Sequence, residues 1–157
     1  MTFDVARRLR RSVRRLGGDQ GTALLEMALT LPLLLFVAVA IFEFGRAFQT
    51  WEVLTNAARE GARVAVLPDP TAGVAEDRVL QYMQAGQLTA ATSATIAVNR
   101  SASLDVAGRT VSASQVSIDY PFSFIVLQPV ARLIAPTTSL GGAVVMHAQA
   151  VMRNETQ

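Results

Sequence analysis

Between Met27 and Phe42 the chain reads MALTLPLLLFVAVAIF, sixteen residues without a charge. Extended back to Thr22 and tolerating Glu26, the run reaches the ~20 residues needed to cross ~30 Å of hydrocarbon as a helix. Pro32 is its single helix breaker. In a spanning helix a proline is tolerated with a kink, because packing partners re-satisfy the freed carbonyl. The flanking charge sets the direction. Residues 1–21 carry six arginines (Arg7, Arg8, Arg10, Arg11, Arg14 and Arg15) against Asp4 and Asp19, whereas eight arginines and ten acids follow Gly21. The basic side therefore belongs in the cytoplasm and the C-terminal body outside it. The arginine-rich tail lacks the aromatic interleaving of a nucleic-acid surface and runs directly into the apolar span, so topology accounts for it without nucleic acid. The chain has no cysteine, which excludes a disulfide framework, a thiolate metal site and a thiol nucleophile. That absence leaves the compartment open.

The helix is expected to continue past the membrane. Ile41, Phe44, Phe48, Trp51, Thr55, Ala58, Ala62 and Ala65 recur at steps of three and four, an amphipathic stripe with aromatic residues near the membrane and small ones beyond. Glu43, Arg46, Glu52, Asn56, Arg59, Glu60 and Arg63 fill the other faces. Phe44, Phe48 and Trp51 belong near the outer interface, where amphipathic rings are enriched. Pro68 and Pro70 end the helix. From Thr22 to Val66 such a rod is ~68 Å long, more than twice the hydrocarbon thickness. Ala57, Gly61 and Ala65, widened by Ala58 and Ala62, form a small-residue face that permits close backbone approach. Spacing alone leaves open whether that face meets a neighbouring helix or the outer domain's own core.

Beyond the prolines, VAEDRVLQYMQAG reads as one short helix, with Val79, Leu80, Tyr82 and Met83 for packing and Gly86 near its end. The period then shifts towards two. ATIAVNR and QVSIDY alternate as strands, the second placing Val116, Ile118 and Tyr120 on one face. SASLDVAGRT holds a turn around Gly108 and leaves room for a further short strand. A closing strand, GGAVVMHAQAVMR, sets Val144, Met146, Ala148, Ala150 and Met152 on one side, with His147, Gln149 and Arg153 on the other. YPFSFIVLQPVARLIAP carries Pro121, Pro129 and Pro136 and is read as a long connection. The expected fold is α+β: a basic cytoplasmic leader (1–21), a membrane-spanning and stalk helix (22–67), and a small antiparallel sheet domain with one short helix (68–157) whose core the stalk completes.

Glu26 raises a separate question, since an unpaired carboxylate in a bilayer costs several kcal/mol, less towards the interface. It lies five residues after Gly21, the end of the basic leader. Were the chain cut after Gly21, Thr22 would gain a free α-amino group with Glu26 one helical turn away, and pairing the two would lower the cost of burying both. The competing account is an interfacial carboxylate favoured by the helix dipole. AVA at 38–40 also satisfies a small-x-small secretory cleavage pattern before Ile41, although such a cut would divide the amphipathic stripe.

These features resemble a type IV prepilin signal, and more particularly the TadE-like pseudopilins of tight-adherence (Flp) pilus systems. The resemblance rests on GTALLEMALTLPLLL, FEFGRA and NAAREGARVAV, strong over about residues 17–67, and loosely on YPF and AQAVMRNE over 115–155. It implies cleavage by a prepilin peptidase between Gly21 and Thr22. It also implies registration of the new N-terminus by Glu26, and packing of the helix through Phe44, Phe48, Trp51, Ala58, Gly61 and Ala62. The implied partners are that peptidase, other pilin or pseudopilin subunits and inner-membrane pilus assembly proteins, in a bacterial cytoplasmic membrane crossed once. Met27 stands where many such pilins carry an aromatic residue, and the body is larger than that of a small major pilin; both fit a minor component. An uncut or conventionally secreted, membrane-anchored binding module is the alternative. Enzymatic readings find little support. His147 is the sole histidine, Glu76 and Asp77 diverge on their helix, and no serine or glycine-rich loop matches a nucleophile or phosphate motif. Accordingly no catalytic residue, cofactor or metal is assigned. NRS at Asn99 and NET at Asn154 match glycosylation sequons by pattern only.

Overall fold

The computed structural model describes residues 19–68, 72–134, 137 and 142–154. The arginines of the leader, Pro70 and Pro136 lie outside that set. The first element, α1, is a helix over Asp19–Ala65 with Pro32 inside it. The chain divides into two compact units between Ile41 and Phe42, where the uncharged run ends. In the first unit every residue from 21 to 38 is exposed, Leu24 and Leu29 by 72% and 71%. Apolar side chains bared over so long a stretch are stable only against an apolar surrounding. The helix is long and apolar enough to cross a membrane.

The second unit contains the rest of α1, a helix α2 (Val74–Ala85), a 3-10 turn (Ala91–Ser93), strands β1 (Thr95–Val106) and β2 (Arg109–Phe122), a helix α3 (Leu127–Ile134) and strand β3 (Val144–Arg153). The strands form one antiparallel sheet in the order β1-β2-β3. The β1–β2 hairpin closes through Ala107 and Gly108, both at positive φ (53° and 77°), the pairing of left-handed residues that matches the twist of a two-residue hairpin. The Asp105 carboxylate accepts the Gly108 N–H at 2.9 Å. A bulge at Arg100 and Ser101 breaks the β1 register, and the Ser101 N–H turns to the Asn99 side chain at 3.0 Å.

Pleating places Val116, Ile118, Tyr120 and Phe122 of β2 on one face, and all four are buried. Ala148 joins them from β3, with Met146, Ala150 and Met152 half-covered alongside. Leu54, Ala57, Ala58 and Ala62 of α1, with Ala75, Val79 and Met83 of α2, complete this core. The small-residue run of α1 is thus the inner face of the unit itself. A Cβ placed on Gly61 would overlap Val79 Cγ2 of α2. Where α2 ends, the Leu88 N–H bonds the Met83 carbonyl (3.1 Å) and the Gln87 N–H that of Gln84 (2.9 Å), with Gln87 left-handed at φ 58°. That is the Schellman geometry, with glutamine in the place usually given to glycine. Gly86, one residue earlier, has an ordinary φ of −75°; it is small because a Cβ there would lie 2.5 Å from Val53 Cγ1 of α1.

Three features differ from the sequence reading. The buried line of α1 runs through Glu43, Thr50, Leu54 and Ala57 before reaching Ala58, Ala62 and Ala65. The aromatic half of the expected stripe stays exposed, Phe44 by 79%. The two lines lie side by side on this helix, and the docked sheet covers the one that ends in Ala57, Ala58 and Ala62, whose small side chains allow close approach. The proline-rich connection contains α3, because Pro129 is its third residue, where the missing N–H would have had no intrahelical acceptor. Finally, the further short strand allowed in SASLDVAGRT is the continuation of β1, which reaches Val106 before the turn at Gly108.

Candidate functional site

Gly21 and Thr22 are the third and fourth residues of α1, and both are exposed. Glu26 follows Thr22 by four positions, so the two share a face of the helix one turn apart. Glu26 is exposed, and its backbone carbonyl accepts the Thr30 hydroxyl at 2.6 Å.

A second carboxylate stands at the opposite end of the apolar run. Glu43 is 1% exposed although it lies on a helix surface, because the segment after β2 folds over it. Its Oε1 accepts the Val126 N–H at 2.5 Å and the Leu127 N–H at 3.4 Å, two donors at the start of α3 that have no acceptor within that helix. Its Oε2 faces the Arg46 guanidinium at 3.3 Å. The same Arg46 Nη2 donates to the Ser123 carbonyl at 2.6 Å, and the guanidinium lies 4.9 Å from the centre of the Phe122 ring. Phe122 in turn meets Phe124 edge-on at 5.2 Å. One acid and one base, a turn apart on α1, therefore hold residues 122–127 by charge-assisted bonds and ring contacts. Arg46 also borders an open cleft of about 240 Å³, in which it is the one charged lining residue. The sequence places Glu43 and Arg46 on faces other than the apolar stripe; the partners that bury Glu43 lie more than eighty residues away, so no local pattern marks it.

The small-residue positions behave differently from the aromatic ones. Ala58 and Ala62 are fully buried in the unit's own core, and Gly61 provides the close approach of α2. Phe44, Phe48 and Trp51 are 79%, 58% and 49% exposed, the last two with ring centres 6.2 Å apart. Further along, Glu60 accepts Arg78 of α2 at 2.8 Å and Arg63 at 3.4 Å, tying α2 to α1 on the polar side. On the outer face of the sheet His147 Nδ1 lies 2.7 Å from Asp119 Oδ1 across the β2–β3 register. That hydrogen bond, aided by Gln149, holds the imidazole pKa above its ordinary value of 6.5. The pair is exposed and has no third titratable partner in reach among the contacts described, so it supports the strand pairing rather than forming a reaction centre.

The long apolar helix, bare over its first unit and fused to a small α+β unit, fits a single-pass membrane anchor. Residues 21–63 match the family model described as TadE-like protein, the family that the sequence motifs resemble. The match opens at Gly21, includes Glu26, Glu43 and Arg46, and stops before α2. No curated protein and no solved structure matches the chain.

Proposed function

We propose that this protein is a minor pseudopilin-like subunit in the assembly of a tight-adherence (Flp) type IV pilus, structural rather than enzymatic. The match that begins at Gly21 and carries Glu26 four residues after Thr22 is the observation that supports this reading most directly. In this scheme the arginine-rich leader stays in the cytoplasm while the apolar helix inserts, and a prepilin peptidase cuts between Gly21 and Thr22. Glu26 then registers the new amine against a neighbouring helix. The internal burial of Ala58 and Ala62 directs lateral contacts elsewhere. The exposed row of Phe44, Phe48 and Trp51 is the face left for other pilin subunits or membrane assembly proteins.

Mass measurement on protein purified from the membrane tests the scheme. A mature chain beginning at Thr22 supports it; one beginning at Ile41 indicates a secreted domain, and one beginning at Met1 an uncut, membrane-anchored binding module. Gly21→Ala is expected to leave the precursor uncut on a mobility gel. Glu26→Ala is expected to be cut and to fail in assembly. Equal processing of Gly21→Ala and the parent would overturn the proposal.

A further inference from the structure

Thr50 stands apart from other threonines of α1. Thr30 and Thr55 settle their hydroxyls on the carbonyl four residues back, at 2.6 and 2.9 Å, as threonine in a helix ordinarily does. Thr50 is only 7% exposed, yet its hydroxyl has no partner among the described residues. Its oxygen is nevertheless not sealed from solvent. A hydroxyl so placed is a cost to the fold, and the cleft of about 240 Å³ that Thr50 lines is where the missing partner can enter.

A second buried hydroxyl lines the same cleft. Tyr120 is 4% exposed, and its oxygen accepts the Ala90 N–H at 3.2 Å. Its own proton finds no acceptor among the described residues. Arg46 is the third donor. Its Nε and Nη2 go to Glu43 and Ser123 and its guanidinium lies over the Phe122 ring, whereas Nη1 donates to none of the described residues. All three belong to the second unit, and no acidic residue lines the cleft.

Three donors without an acceptor define what can settle among them. The ligand has to bring acceptor oxygens, and an ionised one forms bonds about twice as strong as a neutral one. One uncommitted edge of a guanidinium matches the single charge of a carboxylate. A dianion such as phosphate would leave a surplus negative charge close to Glu43. The volume falls below the ~300–1,000 Å³ of a drug-sized pocket, which rules out a nucleotide and admits a group the size of an amino-acid residue. Leu88 and Phe122 supply apolar wall for the remainder of such a group.

We propose that this cleft binds a single carboxylate, carried on a group the size of an amino-acid residue and received by the Thr50 and Tyr120 hydroxyls and Arg46 Nη1. Such a carboxylate comes either from a free small acid or from the end of a polypeptide.

The test uses the full chain in detergent, isotope-labelled at threonine and tyrosine. N-acetylalanine, its neutral amide and the tripeptide N-acetyl-glycyl-glycyl-alanine are titrated in turn while NMR follows Thr50 and Tyr120. Saturable shifts at both residues are expected with the acid, and affinity about tenfold lower for the amide. Thr50→Val keeps the side-chain shape and removes the hydroxyl. It is expected to bind the acid about tenfold more weakly, with a urea midpoint no lower than the parent's. A tripeptide that binds more tightly than N-acetylalanine assigns the site to a polypeptide terminus, and one that binds no more tightly assigns it to a free small acid. Absence of shifts up to the solubility limit, equal affinity for acid and amide, or undiminished binding by Thr50→Val each overturn the site. A lowered urea midpoint in Thr50→Val also overturns it, because the hydroxyl would then have a partner inside the fold. The cleft residues all follow Gly21 and are present in cut and uncut chains alike, so this outcome is independent of the processing test.

Discussion

Gly61 and Gly45 lie in the same helix but in opposite surroundings. A Cβ at Gly45 meets nothing within 4 Å, whereas one at Gly61 overlaps Val79 Cγ2 and lies 3.4 Å from Val116 Cγ1. Replacing a glycine in a helix interior by alanine stabilises by about 1 kcal/mol when nothing obstructs it. At Gly45 that gain should appear whole. At Gly61 it is opposed by overpacking, which costs about 1–3 kcal/mol. The obstructing atom belongs to a fully buried valine on a helix, where one χ1 rotamer dominates, so rotation offers little relief. The upper part of the range therefore applies, and Gly61→Ala is expected to lose about 1–2 kcal/mol net. Urea unfolding of the full chain in detergent, followed through the single tryptophan Trp51, measures both variants on one scale. Val79→Ala, which removes the obstruction, should make the alanine at 61 tolerable, giving a favourable coupling of about 1 kcal/mol in a double-mutant cycle. If Gly61→Ala proves as stabilising as Gly45→Ala, the close approach of α2 to α1 is wrong.

Glu43→Ala strands two helix-start donors and one guanidinium; because Arg46 is partly exposed, the loss should be about 3 kcal/mol in the same assay, and Glu43→Gln, which keeps an acceptor, should lose clearly less. Equal losses would show that charge plays no part. His147 should titrate above 6.5 by NMR and return towards that value in Asp119→Asn. Since the folded pKa is the raised one, its contribution to β2–β3 pairing is complete below about pH 6.5 and disappears as pH rises through the folded value, so amide exchange at β3 should quicken over that interval. Gln87→Gly relieves a left-handed glutamine at the end of α2 and should raise the urea midpoint, by about 1 kcal/mol in stability; a lower midpoint would contradict the Schellman assignment.

Much of this architecture is legible in the residues. The alternation at Val116, Ile118 and Tyr120 marks β2, because a strand with one covered face must repeat at two. The uncharged run and its basic flank announce the anchor, and the motif around Gly21 and Glu26 is local enough to be read unaided. What escapes the sequence is decided by distant contacts. α3 was hidden because Pro129 looks like an interruption, yet in a first turn it costs no hydrogen bond. Glu43 falls outside the apolar stripe, and nothing near it in the chain shows that the segment after β2 returns to cover it. The choice between the aromatic and the small-residue lines of α1 needed the sheet itself to be in place, since both lines satisfy the helical period.

Because α1 contributes Leu54, Ala57, Ala58 and Ala62 to the core, the second unit is incomplete downstream of Pro68. A secreted fragment starting at that proline would bare the part of the β2 face that α1 covers and should aggregate. One starting at Phe42 keeps the whole hydrophobic interior and sheds only the lipid-soluble portion. Proteolysis next to Phe42 would therefore release a folded particle, whereas a cut beyond Ala62 would destroy it.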